Sequence, residues 1–208
     1  VYVSTVNPET RVKVATNLLR DYGFFNGSVS YSVDTLKNPR KAKLNYEINM
    51  ANPYYLDSIA YLKYPARADS LIRATYNQRI LRKGDNFSVL KLEEERQRLS
   101  TLFRNNGYYY FRPEFTFRAD TLRNPGFVSL QVVPQKGVPA EARRPYYIGK
   151  TSVYLTGYKG EQPTDSLTFA DMTIHYHGKK PGIRELVLRK RFLYKEGQLY
   201  SQIRQTYT

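Results

Sequence analysis

Internal repetition is the feature that most narrows what this chain can fold into. LLRDYGFFNGSVSYSV (Leu18 to Val33) leads into DTLKNP (Asp34 to Pro39), and LFRNNGYYYFRPEFTF (Leu102 to Phe117) leads into DTLRNP (Asp120 to Pro125). A lone Asp/Asn/Pro turn recurs by chance, because these residues favour turns for local reasons. The same turn behind the same context does not. Gly107 lies 84 residues after Gly23 and Asp120 lies 86 after Asp34, so two residues separate the copies' spacing between the glycine and the turn.

Before that gain the register is informative. Val29, Tyr31 and Val33 fall on Pro113, Phe115 and Phe117, and the serines between them fall on Arg112, Glu114 and Thr116. Alternation of period two predicts a strand with one buried face, and Pro113 predicts an edge position, because proline has no N–H to give a ladder. Beyond the turn a second alternating run follows in each copy: Leu44, Tyr46 and Ile48 in one, Val128, Leu130 and Val132 in the other. Each copy therefore predicts a hairpin.

A helix precedes each hairpin. Asn7, Pro8 and Glu9 make a capped start with charge favourable to the dipole, and Val12, Ala15, Leu18 and Leu19 share one face. In the other copy Ser88 is the candidate cap, Val89, Leu92, Leu99, Leu102 and Phe103 form the stripe, and Glu93, Glu94 and Glu95 read as acids at the positive helix end. Gly23 and Gly107 supply the left-handed stops.

A second pair of texts extends the unit forwards. PYYLDSIAYLKY begins at Pro53 and PYYIGKTSVYL at Pro145, 92 residues on. Each reads as a strand followed by a helical pattern (Ile72, Tyr76 and Ile80; Ile183, Leu186, Val187, Leu193 and Tyr194), then a glycine turn, RKGDNFS or YKEGQLYS. The expected fold class is α+β: tandem β-α-α-β-β repeats, each a three-stranded mixed sheet with two helices on one face. Residues 1–50 hold the back half of one repeat, 51–134 a complete one, and 145–208 the front part of a third. Pro134 to Arg144 reads as a linker and Gly157 to Asp171 as a loop insertion before a short strand around Met172 to His177.

Composition bounds the function. Thirty-three Lys and Arg against 18 Asp and Glu give a net charge of +15, which favours anionic partners. There is no cysteine, so disulfides, thiolate nucleophiles and cysteine metal sites are excluded. No apolar run is long enough to span a membrane as a helix, and the N-terminus lacks a signal-peptide plan, so the segment is expected to be soluble as it stands. No triad, phosphate loop or metal motif has the needed spacing; an enzyme and a cofactor are not expected.

The joints DYGFF (Asp21 to Phe25) and NNGYYY (Asn105 to Tyr110), with KGDNFS (Lys83 to Ser88) and EGQLYS (Glu196 to Ser201), resemble the POTRA domain, the repeat that precedes the barrel of Omp85-family outer-membrane proteins. The closing EGQLYSQIRQTYT is similar to the last repeat before the barrel in the translocation-and-assembly branch. The resemblance implies the periplasmic part of an outer-membrane protein of a Gram-negative, Bacteroidetes-like bacterium. Its partners would be unfolded outer-membrane proteins or other client polypeptides and accessory periplasmic or lipoprotein subunits, with the membrane reached through a C-terminal barrel outside this segment. Nucleic acid is not expected as a partner. In the family the second strand of the repeat is the edge, and clients add to it by backbone pairing. Here that implicates Ser28, Ser30, Ser32, Arg112, Glu114, Thr116 and Arg118. Thr116→Pro is expected to block such pairing and leave the domain folded.

Three other features admit a sharp and a plain account. Lys179, Lys180, Arg184, Arg189, Lys190 and Arg191 are candidates for anionic lipid headgroups, or simply a solvated helix face. His175 and His177 share a strand face but lack a third ligand, so no metal is assigned. Tyr108 to Phe111 suits base stacking or, in alternate positions, core and edge. A basic nucleic-acid-binding repeat protein is the alternative function.

Overall fold

The computed structural model describes residues 6–38, 41–119 and 124–208; Pro39 of the first DTLKNP turn and Asp120 to Arg123 of the second lie outside them. The chain divides into two compact units, Val1–Arg98 with Pro113–Pro134, and Leu99–Arg112 with Gln135–Thr208.

Helix α1 (Pro8–Asp21) starts as its sequence predicts: Asn7 caps it, its side chain accepting from Thr10 N–H at 3.3 Å. β1 (Ser28–Thr35) and β2 (Ala42–Asn49) pair antiparallel as a two-stranded sheet. The apolar positions of this hairpin alternate as predicted, yet Tyr31, Val33, Tyr46 and Ile48 are exposed, as is Leu18 on the expected inner face of α1. One helix alone does not cover a hairpin face.

The next elements are β3 (Tyr55–Tyr61), α2 (Ala66–Ala74), α3 (Val89–Asn105), β4 (Pro113–Ala119) and β5 (Phe127–Pro134). The sheet order is β3-β5-β4, with β3 parallel to β5 and β4 antiparallel to it. This is the β-α-α-β-β, mixed three-stranded arrangement expected from the sequence. Val128, Leu130 and Val132 on β5 are buried and Ser129 and Gln131 between them are not, so the period-two reading holds. Leu56, Ile72, Leu81, Phe87 and Leu92 are buried in the same unit. The helical pattern read through Ile80 ends sooner: α2 stops at Ala74, and a 3-10 turn, Tyr76–Gln78, follows.

In the second unit β6 (Thr151–Tyr154), β7 (Asp165–Phe169) and β8 (Met172–Tyr176) form a sheet of order β6-β8-β7, followed by α4 (Glu185–Arg191) and α5 (Gln202–Thr206). β6 is parallel to β8 and β7 antiparallel to it, which reproduces the β3-β5-β4 plan. Here, however, the hairpin comes before the helices. The segment read as a loop insertion thus contains β7, and β8 is the central strand: Met172, Ile174 and Tyr176 are buried, with Val153, Leu155, Leu188 and Phe192 packed on them. The linker read at Pro134 to Arg144 holds a 3-10 turn, Ala140–Arg143, whose Ala142 is buried. No helix among the described residues is long and apolar enough to cross a membrane.

The repetition is clearest where a glycine stop meets the next PYY text. In the first unit Tyr54 N–H donates to Gly23 C=O (2.9 Å), Phe87 N–H to Tyr54 C=O (2.7 Å), Leu56 N–H to Asp85 C=O (2.8 Å) and Gly84 N–H to Leu56 C=O (2.7 Å). In the second unit the same bonds join Tyr146 to Gly107 (2.7 Å), Tyr200 to Tyr146 (2.9 Å), Ile148 to Gln198 (2.8 Å) and Gly197 to Ile148 (2.8 Å). The stops match too. Phe24 N–H reaches Leu19 C=O and Tyr108 N–H reaches Phe103 C=O, both at 2.9 Å, the six-to-one bond of a Schellman end.

Gly23 and Gly107 have φ of +87° and +95°, and a Cβ on either would meet its joint: 2.6 Å from Phe87 O in one, 2.7 Å from Leu199 Cδ1 in the other. Gly84 and Gly197 also have positive φ but face open space. Gly84→Ala and Gly197→Ala should therefore cost about 1–2 kcal/mol in left-handed strain. Gly23→Ala and Gly107→Ala should cost at least about 1 kcal/mol more through overpacking. Urea unfolding followed by circular dichroism reads the difference; equal losses would mean that close approach contributes nothing.

Candidate polypeptide-binding edge

β4 lies at the rim of its sheet, as Pro113 predicted; the proline is the strand's first residue, paired with Pro134. Gln135 N–H donates to Arg112 C=O at 2.9 Å, so these two form a hydrogen-bonded pair. Antiparallel ladders alternate hydrogen-bonded and non-bonded pairs. Glu114 with Val133, Thr116 with Gln131 and Arg118 with Ser129 are then bonded to β5, whereas Phe115, Phe117 and Ala119 turn their N–H and C=O groups to the open side. No backbone group among the described residues bonds to them there. In β1 the bond from Leu36 N–H to Lys41 C=O (3.3 Å) sets the same alternation. Ser28, Ser30 and Ser32 face inward to β2 through their backbones, and Val29, Tyr31 and Val33 face out.

The residues singled out from the sequence are therefore those whose backbones complete the sheet; the open groups belong to their neighbours. Ser28, Ser30, Ser32, Arg112 and Arg118 are exposed, and Glu114 and Thr116 half-buried. Thr116→Pro would remove a ladder bond to β5 rather than an open donor. Sequence reasoning missed this because period two assigns side-chain faces, not which pair exchanges hydrogen bonds. On the opposite face of β4, Phe117 meets the Phe87 ring at 5.8 Å and Phe115 lies under the Arg96 guanidinium at 5.4 Å.

Of the basic residues, Lys179, Lys180, Arg184, Lys190 and Arg191 are exposed, and Arg189 is drawn to Asp171 at 3.0 Å. The last turn of α4 carries Arg189, Lys190 and Arg191, where cations suit the helix dipole. His175 stacks on Tyr154 with ring centroids 4.5 Å apart, and His177 Nδ1 lies 3.2 Å from the Gln162 carbonyl. Among the described residues no group of three or more His, Cys, Asp or Glu side chains converges. Tyr108 and Phe111 are buried and Tyr109 and Tyr110 exposed, because the segment is a turn rather than a strand: Phe111 N–H reaches back to Tyr108 C=O at 3.4 Å.

The acids on α3 divide. The helix begins at Val89, so Glu93, Glu94 and Glu95 fall beyond its first turn, where the dipole effect has faded. Glu93 and Glu94 are exposed, and Glu93 pairs with Arg96 at 2.8 Å. Glu95 is fully buried. It accepts from Arg98 Nη2 (2.6 Å) and Nε (2.9 Å), from Tyr61 O–H (2.8 Å) and from Ile80 N–H (2.9 Å). Burial, then the neighbouring Glu95 charge, pushes the Tyr61 phenol well above its ordinary value. Burial alone would lower Arg98, but its bonds to Glu95 and the carboxylate charge outweigh that and raise it. Every carboxylate lone pair has a donor, and the cluster ties α3 to β3 and to the chain after α2. This is the chemistry of a structural ion pair. Glu95→Ala leaves the half-buried Arg98 guanidinium with only Thr75 as partner among the described residues and removes the acceptor of the Tyr61 hydroxyl and the Ile80 N–H, and should cost about 3 kcal/mol. Glu94→Ala, on the exposed side, should stay within about 0.5 kcal/mol in urea unfolding.

No family model and no curated protein matches the chain. Among solved structures it is similar to BamA POTRA3-5 of Haemophilus influenzae, with 12% identity and a TM-score of 0.48 over 96% of this chain and 65% of that one. It is similar to BamA of Haemophilus ducreyi lacking POTRA domains 1-3, with 13% identity and a TM-score of 0.38 over 61% of this chain and 23% of that one. It is also similar to the N-terminal domain of Omp85 from the thermophilic cyanobacterium Thermosynechococcus elongatus, with 16% identity and a TM-score of 0.33 over 95% of this chain and 68% of that one. The chain thus spans just under two thirds of the first of these structures and less than a quarter of the second.

Proposed function

We propose that this chain is a POTRA segment of an Omp85-family outer-membrane assembly or translocation protein, lying in the periplasm and taking client polypeptides by strand addition. Residues 1–50, 51–134 and 145–208 are its successive repeats, the first and last in part. The reading rests on the β-α-α-β-β sheet and its doubled joints, which agree with the motifs that resemble this family. The observation that carries the mechanism is the row of outward N–H and C=O groups at Phe115, Phe117 and Ala119. An extended client pairing there gains backbone hydrogen bonds with little demand on its sequence, and exposed edges are the ordinary sites of such pairing. The edge of β1 offers the same groups at Val29, Tyr31 and Val33. In this role the chain needs no catalytic group. Lys179, Lys180, Arg184, Lys190 and Arg191 would face anionic headgroups near the attached barrel, with Arg189 held back by Asp171.

Proline substitution at two adjacent positions tests the edge. Phe117→Pro removes one outward N–H, and Phe117→Ala removes the ring but keeps it. Site-specific photocrosslinking in cells from Arg118, with the captured proteins identified by mass spectrometry, should show client capture reduced at least about fivefold in Phe117→Pro and little changed in Phe117→Ala. Thr116→Pro should instead lower stability, by about 3 kcal/mol, because the lost donor belongs to the ladder with β5. Undiminished capture by a folded Phe117→Pro chain would remove strand addition at β4.

A further inference from the structure

The two joints share their backbone bonds but not their side chains. Phe25, Asn26 and Phe87 at the first correspond to Tyr109, Tyr110 and Tyr200 at the second; Arg20 and Ser28 correspond to Arg104 and Arg112. At the first joint Phe25 packs on Tyr54 and on Phe87, each with centroids 5.1 Å apart, and the cavities alongside have volumes of about 450 and 480 Å³. At the second the tyrosines meet edge to face: Tyr109 with Tyr110 at 4.7 Å, Tyr109 with Tyr200 at 5.2 Å and Tyr110 with Tyr146 at 5.7 Å. They line a cavity of about 1020 Å³, lying wholly within the second unit, onto which Arg104 and Arg112 also open. Neither arginine makes an ion pair with a described residue; the single carboxylate on the wall is Glu141. Both joints keep a tyrosine (Tyr54, Tyr146) and an arginine (Arg20, Arg104), but Phe25, Asn26, Phe87 and Ser28 at the first are replaced by three tyrosines and a second arginine, Arg112, at the other.

We propose that this cavity is a binding site for an acidic polypeptide segment carrying aromatic side chains, distinct from the backbone edge of β4. Its volume is at the upper end for small-molecule pockets, and tyrosine and arginine are the side chains that most often anchor protein partners. The guanidinium fork takes a carboxylate through two parallel hydrogen bonds. The tyrosine edges and faces left exposed accept a visiting ring at an angle. Nucleic acid is disfavoured, because the rings are turned 72° to 81° to one another and so present no parallel platform on which successive bases could stack. The net charge of +15 draws an acidic segment to this surface.

The site uses side chains, so it stands apart from strand addition and its test separates the two. The whole chain is titrated with a fluorescein-labelled octapeptide of alternating Asp and Phe at about 50 mM salt, with anisotropy as the readout. The double variant Arg104→Gln/Arg112→Gln, and Tyr110→Ala on its own, should each weaken binding at least about tenfold. The same peptide with Lys in place of Asp should bind at least about tenfold more weakly to the unaltered chain. Circular dichroism melts within a few degrees of the unaltered chain verify that the variants are folded. Equal affinity for the lysine peptide, no loss in the folded variants, or tighter binding of an oligothymidine through the same arginines would overturn the proposal. Binding abolished by Phe117→Pro but untouched by the arginine changes would overturn it as well, and would assign the peptide to the β4 edge.

Discussion

Everything in this chain is arranged around a joint made of backbone. A helix ends at a left-handed glycine whose carbonyl takes the N–H of the tyrosine in the next PYY text, and that tyrosine's carbonyl takes the N–H of an aromatic beyond the following glycine turn. Backbone groups make every one of these bonds, so side chains around the joint are free to differ. They do: Phe25, Asn26, Ser28 and Phe87 at one joint answer to Tyr109, Tyr110, Arg112 and Tyr200 at the other, on the same set of bonds. The glycine is the exception to that freedom, because its φ is positive and a Cβ would press on the Phe87 carbonyl at one joint and on the Leu199 side chain at the other.

The joint also bears on which edge stays open. In the β3-β5-β4 sheet the central strand is saturated by two neighbours, leaving the outer sides of β3 and β4. The joint takes up the start of β3: Leu56 exchanges bonds with Asp85 and Gly84, and Tyr55 bridges to Asn86. β4 receives no such cover among the described residues. The joint thus covers the head of one margin, while the margin along β4 is left without backbone partners among the described residues. Pro113 at the head of β4 limits the margin, since it offers a carbonyl and no donor.

What could be read from the residues alone follows from the range of the interactions involved. The glycine stops, the Asn7 cap and the alternation of Val128, Leu130 and Val132 are local and were legible. The burial of Glu95 was not. It depends on Arg98 one turn later, but also on Tyr61, 34 residues back, and on a backbone N–H at Ile80. A run of three glutamates near a helix start carries no mark of which one is enclosed. β7 was missed because Leu167 and Phe169 give only a short alternation, in a strand exposed along its whole length, after a stretch rich in glycine and proline. The placement of β4 at the rim was legible from one proline, whereas the identity of its open groups was not. That depends on the pairing of Arg112 with Gln135, a fact of register.

The third sheet shows which part of the module is essential. Its plan is that of the second repeat, a first strand parallel to a central one and an antiparallel strand beyond, but the hairpin lies ahead of the helices in the chain. What recurs is the sheet, and the order of elements that builds it varies. The variation has a physical consequence. β8 occupies the seat beside β6 and brings Met172, Ile174 and Tyr176 into the core, with Arg189 fastened to the hairpin's turn at Asp171. A strand arriving after α5 would find that seat taken, and could occupy it only by displacing the side chains that form this core. The outer sides of β6 and β7, the latter exposed at every residue, are therefore where this sheet can grow without losing its interior.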